Sequence, residues 1–216
     1  LGEPKPTDYP DYLVQKNDNS IISYQNDGFR IRGYKQYWFQ DNITECRPNP
    51  RNRNVGVYVQ PIVKGRFSGR IYFENLAEDE LGLLCYALKA EDGVNFNIGM
   101  AKPYGYGRIA IEKISPYLYD MTRLYSRFQI DGRAVGRIST DEYIVKYKSY
   151  LKSQGINDID AELPVREFKY VKKFKLPNDK TRYMRIDHPV ERNEFAQKRI
   201  LPSIFDYCEA HGIEPS

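Results

Sequence analysis

The chain has 216 residues, 41% hydrophobic and 29% charged, with a net charge of +4. That is enough for one domain or two small ones with their own core, and it excludes a disordered polyelectrolyte. No apolar run reaches the roughly 20 residues of a membrane span, and no charged start followed by an apolar stretch marks a signal peptide. The first residue is Leu1, so the chain is expected to be one module of a longer protein. Two histidines, His188 and His211, and three dispersed cysteines, Cys46, Cys85 and Cys208, leave little for a zinc site, a disulfide framework or a Cys-His pair. They point to free thiols in a reducing, cytoplasmic setting. Tyrosine is abundant, 19 against 10 Phe and one Trp, and such rings suit half-wet surfaces that stack on bases or proteins. The charge is uneven. Residues 101–140 hold seven Lys/Arg against three Asp/Glu, and residues 161–200 eleven against six. Each stretch suits either a polyanion footprint or an ordinary solvated face.

Residues 1–28 are rich in Asp, Asn, Pro and Tyr and read as an irregular leading segment. In FRIRGYKQYWF (29–39), Phe29 and Ile31 alternate with Arg30 and Arg32, the period of a half-buried strand. Residues 41–54 form a polar loop with two prolines and Arg47, Arg51 and Arg53. VGVYVQPIV (55–63) and RFSGRIYFENL (66–76) alternate as strands. A helix follows, with Asn75 and Glu78 spaced as a capping box and Leu81, Leu84, Cys85 and Leu88 on one stripe. Cys85 is therefore a small core residue. VNFNIGM (94–100) and YGRIAIEKI (106–114) read as two more strands around a glycine-rich loop. Residues 117–138 read as one or two further strands. Ser139 and Glu142 space a second capping box before a helix that buries Ile144, Tyr147 and Leu151 and ends at Gly155. VREFKYVKKFKL (165–176) alternates as a strand with a basic face. Short helices are expected after Pro189 and after Pro202, the second stopped by Gly212. The order predicts an α+β fold, an antiparallel sheet with helices on one face, divided into a leading segment with the first strand (1–54) and a main domain with a basic C-terminal extension (55–216).

The loop from Gly99 to Arg108 combines glycines, which allow close backbone approach and present N–H groups, with the cations Lys102 and Arg108 and the rings of Tyr104 and Tyr106. That combination suits single-stranded nucleic acid; the competing reading is a plain hairpin turn. A Walker A loop is excluded because no G-K-S/T ending is present. A dinucleotide fingerprint over Gly105, Gly107 and Ala110 lacks the helix it requires. Arg32, Lys35 and Trp38 form a second basic-aromatic group, although Trp38 serves equally as a core anchor. Arg47, Arg51 and Arg53 can clamp a phosphate backbone or simply face water. His188 stands before a proline and His211 beside Gly212, neither near a nucleophile, so no catalytic residue is assigned. No metal-binding motif is present.

Three stretches together, SGRIYFENL, ELGLLCYAL and FNIGMAKPYGYGRIAI, resemble the RAMP superfamily of CRISPR-associated proteins. The matching positions are Gly69, Ile71, Phe73, Leu76, Glu80, Leu81, Leu84, Ala87, Leu88, Gly99, Lys102, Gly105, Tyr106, Gly107 and Ile109. The opening LGEPKPTDYPDYL and the stretch RGYKQYW resemble segments of large type III members. The resemblance is strongest over 66–114, weaker over 1–39 and slight from 115 onward. It implies a ferredoxin-like, RNA-recognition-motif-like βαββαβ fold with insertions. It also implies membership of a type III effector complex in antiviral defence, with crRNA, target RNA and other effector subunits as partners and no membrane. Contact with the crRNA or the crRNA–target duplex would fall to Lys102, Tyr104, Gly105, Tyr106, Gly107 and Arg108, then to Arg32, Lys35, Arg47, Arg51 and Arg53. No cofactor is implied for the module. A divalent metal enters only in the alternative of an endoribonuclease cutting target or precursor RNA. A further alternative is a structural module that holds neighbouring proteins.

Overall fold

The computed structural model describes residues 9–15, 20–33, 36–40, 60–89, 91–126, 135–173, 175–176, 204–210 and 212–213. In chain order the elements are α1 (Tyr9–Tyr12), β1 (Phe39–Gln40), α2 (Glu78–Lys89), β2 (Phe96–Asn97), a 3-10 turn (Lys102–Tyr104), β3 (Arg108–Ile109), β4 (Tyr117–Tyr119), α3 (Met121–Ser126), β5 (Val135–Arg137), α4 (Thr140–Ser153), a second 3-10 turn (Ile159–Ala161), α5 (Leu163–Lys173), β6 (Lys175–Leu176) and α6 (Ile204–Ala210). Helices and short sheets are mixed, as expected of an α+β chain. The pairings are three two-stranded ladders: β1 with β6 parallel, and β2 with β3 and β4 with β5 antiparallel. The chain forms two units. One comprises Leu1–Arg53, Ala101–Gly105 and Phe174–Ser216, the other Asn54–Met100 and Tyr106–Lys173.

In the first unit Leu13 pairs with Ile31 in an isolated antiparallel bridge. The Gln15 side chain extends that pairing: its Oε1 accepts from the Ile22 N–H (2.8 Å) and its Nε2 donates to the Ile22 carbonyl (3.0 Å). Tyr24 stands edge-on to both Tyr9 and Phe29, with centroids 5.6 Å apart in each pair. Leu13, Phe39 and Cys208 are buried. The continuous strand expected over 29–39 is not formed. A bridge at Ile31 and the short β1 stand on either side of Gly33, which has φ +55°, and Phe29 and Ile31 are exposed rather than inward. Trp38 is half-buried, its ring 6.0 Å from that of Tyr207 in α6. That helix ends as expected, with Gly212 at φ +64° and the Ile213 N–H donating to the Cys208 carbonyl at 2.8 Å.

The second unit is built on α2 against α4. Leu81 and Cys85 are buried on the stripe the spacing marked, and Leu84 and Leu88 are half-buried. Gly82 makes the close approach possible, because a Cβ there would lie 2.1 Å from the Tyr143 carbonyl oxygen. The start of α2 is later than the Asn75–Glu78 spacing indicated. Asn75 sits at φ +57°, and it is the Glu80 carboxylate that reaches back to the Ala77 N–H at 2.7 Å. Ser139 does occupy the N-cap of α4, but its hydroxyl makes no capping bond. Ile144, Tyr147 and Leu151 are half-buried, and Gly155 (φ +92°) closes α4 in a Schellman turn, with the Ile156 N–H donating to the Leu151 carbonyl at 3.0 Å.

Two strand expectations are corrected. Residues 163–173 form α5, not a strand. At helical spacing Val165, Phe168, Lys169 and Lys172 share one side, and the lysines lie on it because acids and amides meet them there. Among the described residues, 66–76 join no ladder, and Phe67, Ile71 and Tyr72 are 76%, 59% and 82% exposed. Alternation is only half of a strand, and among the described residues no neighbouring segment supplies the other half. The segments 94–100 and 106–114 do pair, over two residues each, and 117–138 supplies β4 and β5 with α3 after β4. Residues 55–59 and the helix expected after Pro189 lie outside the described residues.

Candidate nucleic-acid interface

The glycine loop sits on the β2–β3 hairpin, where Phe96 faces Ile109 and Asn97 faces Arg108. One more bond, from the Ile98 N–H to the Gly107 carbonyl (2.8 Å), closes the loop's two ends. Gly107 is required at that point. It has φ +76°, and a Cβ would lie 1.8 Å from the Ile98 carbonyl oxygen. Within the loop, Ala101 and Gly105 are both left-handed and flank the 3-10 turn at Lys102–Tyr104, which Pro103 favours near its start. The Tyr104 N–H donates to the Ala101 carbonyl (3.0 Å) and the Gly105 N–H to the Lys102 carbonyl (3.1 Å). These two amides are therefore held inside the loop, so the Gly105 N–H is not one of those presented outward. The loop also offers side chains. Lys102, Tyr104 and Tyr106 are half-buried, and Arg108 is exposed on β3. Ala101–Gly105 group with the first unit and the hairpin stem with the second.

The stem is anchored to α5 by groups that spacing did not single out. The Asn95 N–H donates to the Lys172 carbonyl at 3.0 Å, and the Lys172 ammonium donates to the Asn97 side-chain oxygen. Both Asn95 and Lys172 are buried. The Asn95 side chain is itself held, donating to the Gly93 carbonyl at 2.6 Å. A buried lysine in α5 thus fixes the strand that leads into the loop.

Behind this anchor lies a charged node. The Asp160 carboxylate accepts from the Tyr86 hydroxyl (2.6 Å), Lys148 (2.5 Å) and Lys169 (2.6 Å). Lys169 also meets Glu91 at 3.3 Å, and Lys173 meets Glu91 at 2.8 Å. Burial alone would raise the Asp160 pKa, but the bonds from Lys148, Lys169 and Tyr86 outweigh it and hold the carboxyl far below the usual range. Burial and the neighbouring Asp160 push the Tyr86 hydroxyl well up. Burial opposes the charge on Lys169, yet its bonds to Asp160 and Glu91 raise its pKa overall. Every member of the node has a partner, so it joins α2, α4, α5 and the second 3-10 turn.

The remaining expected contacts are dispersed. Arg32 lies in the first unit, half-buried, with its N–H on the Tyr12 carbonyl at 2.9 Å. Lys35, Arg47, Arg51, Arg53, Cys46, His188 and His211 lie outside the described residues. Among the described residues, Cys85 and Cys208 are free and buried, and no group of three or more His, Cys, Asp or Glu is placed to hold a metal. Also among those residues, no helix is long and apolar enough to cross a membrane. Comparison with known proteins finds no family model, curated protein or solved structure that matches the chain.

Proposed function

We propose that this chain is an RNA-binding module of a type III CRISPR effector complex. It acts in the cytoplasm on a RAMP, ferredoxin-like fold and holds crRNA or the crRNA–target duplex. One observation carries the reading. The 3-10 turn that carries Lys102 and Tyr104 is held by its own amides, and the hairpin end that carries Tyr106 and Arg108 is closed by an obligatory glycine, so each pair by itself is set on a braced support. Cations on such a support meet phosphates without first paying for loop ordering, while tyrosines supply faces for bases. The test is RNA affinity measured across a salt series with the full chain. Changing Lys102 and Arg108 together to Ala is expected to weaken binding and to lower the slope of log affinity against log salt by about 1.5. An unchanged affinity and slope would refute the loop's role.

A second reading, assembly on a neighbouring protein of the same complex, is favoured by residues 60–76. Among the described residues that segment joins no helix or ladder, and Ile62, Val63, Phe67 and Tyr72 are each more than 70% exposed. An exposed apolar segment with strand-like alternation is a template for pairing with another chain. It predicts a stable co-purifying partner that is lost when Phe67 and Ile71 become Ser.

A further inference from the structure

The β4–β5 ribbon carries an exposed aromatic face that the glycine loop does not use. Tyr117 and Tyr119 are two residues apart on one strand, so both rings stand on the same face, while Leu118 turns to the other. Tyr117 is 49% exposed and Tyr119 64%, whereas Leu118 is half-buried. Arg137 lies directly opposite Tyr117 in the ladder and therefore on the same face. One further bond, from the Ile138 N–H to the Pro116 carbonyl (3.1 Å), stiffens the ribbon beside these residues. An open depression of about 380 Å³, walled by Arg137, Ile114, Pro116 and Ser139, adjoins it. Among the described residues neither ring has a stacking or hydrogen-bond partner, and Arg137 has no carboxylate partner.

We infer that this face is a stacking platform for the unpaired bases of single-stranded RNA, with Arg137 on the flanking phosphate. The inference rests on the RNA-binding reading above and adds a second contact and a strand preference to it. Rings at i and i+2 stand about 6.7 Å apart, twice the 3.4 Å separation of stacked bases, so one base fits between them or each ring takes its own. Bases inside a duplex have no free face to offer, and the platform therefore selects unpaired nucleotides. Charge separates this ligand from a protein. The stretch 101–140 that holds the ribbon has seven cations against three acids, and the platform's rings are the hydroxylated kind beside an arginine, with the aliphatic Leu118 turned away. A polyanion with flat polar rings is the complementary partner.

The test uses the full chain, a fluorescein-labelled oligouridylate and a perfectly paired RNA duplex of the same length. Changing Tyr117 and Tyr119 together to Ala is expected to weaken oligouridylate binding by about tenfold or more and to leave duplex binding unaltered. Both rings are exposed, so circular dichroism and the thermal midpoint should match the parent. Restoring the rings as Phe should restore affinity to within about twofold, since stacking needs the face and not the hydroxyl. Arg137→Gln should lower the salt slope by about 0.7, one phosphate contact on a single strand. Loss of binding in the Phe variant would overturn stacking. Unchanged oligouridylate affinity in the Ala variant, with binding still lost on changing Lys102 and Arg108, would overturn the platform and leave the loop reading standing. Unchanged RNA affinity with loss of a co-purifying protein would reassign the face to protein docking. Failure of the parent chain to bind either RNA would overturn the RNA-binding reading itself, and the platform with it.

Discussion

Two parts of the second unit are stabilised in different ways. The helix layer of α2, α4 and α5 is joined by a close backbone approach at Gly82 and by a fully partnered charge node around Asp160. The β2–β3 and β4–β5 ribbons have only two or three residue pairs each, the first exposing Arg108 and the second Tyr117, Tyr119 and Arg137. Ladders this short are marginal by themselves, and the β2–β3 hairpin leans on α5 through Lys172. The difference assigns stability to the helices and presentation to the ribbons. The two should then respond to substitution independently.

The largest effect is expected at Gly82. In Gly82→Val the new Cβ would meet the Tyr143 carbonyl oxygen and the Tyr147 Cβ, and both belong to a helix that cannot yield locally. A loss of about 3 kcal/mol in urea unfolding is expected, spread across the whole unit. A loss below the measurement error would show that α2 and α4 pack loosely and would remove the contrast. Gly107→Ala comes next, with a left-handed φ and a Cβ 1.8 Å from a carbonyl oxygen. A loss of about 2 kcal/mol is expected, confined to the hairpin. Amide exchange at Phe96 and Ile109 should accelerate while α2 and α4 amides stay protected, and RNA affinity should fall with the hairpin. Faster exchange in both regions would mean that hairpin and helices open as one.

Asp160→Asn probes the node itself. Three donors lose a charged acceptor that is 30% exposed, for an expected loss of about 1–2 kcal/mol. Because the folded Asp160 pKa lies below its unfolded value, its contribution is complete above about pH 4 and is lost as pH falls toward the folded value. Glu91 is shifted in the same direction, chiefly by its bonds to Lys173 and Lys169. Tyr86 has the opposite sign. Its pKa is raised, so its contribution is complete below about pH 10 and falls away as the unfolded phenol ionises. Thermal midpoints between pH 2 and 7 should therefore fall less steeply in Asp160→Asn than in the parent. Parallel profiles would show that Asp160 does not couple folding to protons.

The sequence made the helices legible because apolar spacing records a packed face directly. Leu81, Leu84, Cys85 and Leu88 announce α2, and Gly155 and Gly212 announce the ends of α4 and α6. It hid α5 because two inward positions, Lys169 and Lys172, are lysines. Glu91 and Asn97 lie far off in sequence and Asp160 lies outside the helix, so no pattern within 163–173 marks those lysines as interior. It overstated the segment 66–76, where alternation is real but a strand also needs a neighbour. The glycine loop was recognisable by composition. Its internally bonded amides were not, because they depend on Ala101 and Gly105 both turning left-handed around Pro103.

The smallest effect is expected on the rim of the helix layer, where the comparison can be made sharper still. Lys146 reaches Glu78 across the helix pair at 2.6 Å and Glu142 on its own helix at 3.6 Å. The two carboxylates are 68% and 63% exposed, so water and salt screen them. Lys169, by contrast, has a side chain only 21% exposed and bonds to two acids in the node. Lys146→Ala should leave the thermal midpoint unchanged within error, and added salt should not separate it from the parent. Lys169→Ala should lower the midpoint clearly, because it leaves the half-buried Asp160 with one charged donor fewer. Equal losses in the two variants would mean that these bridges act by charge alone. In that case burial around Asp160 would not be what sets the helix layer apart from the ribbons.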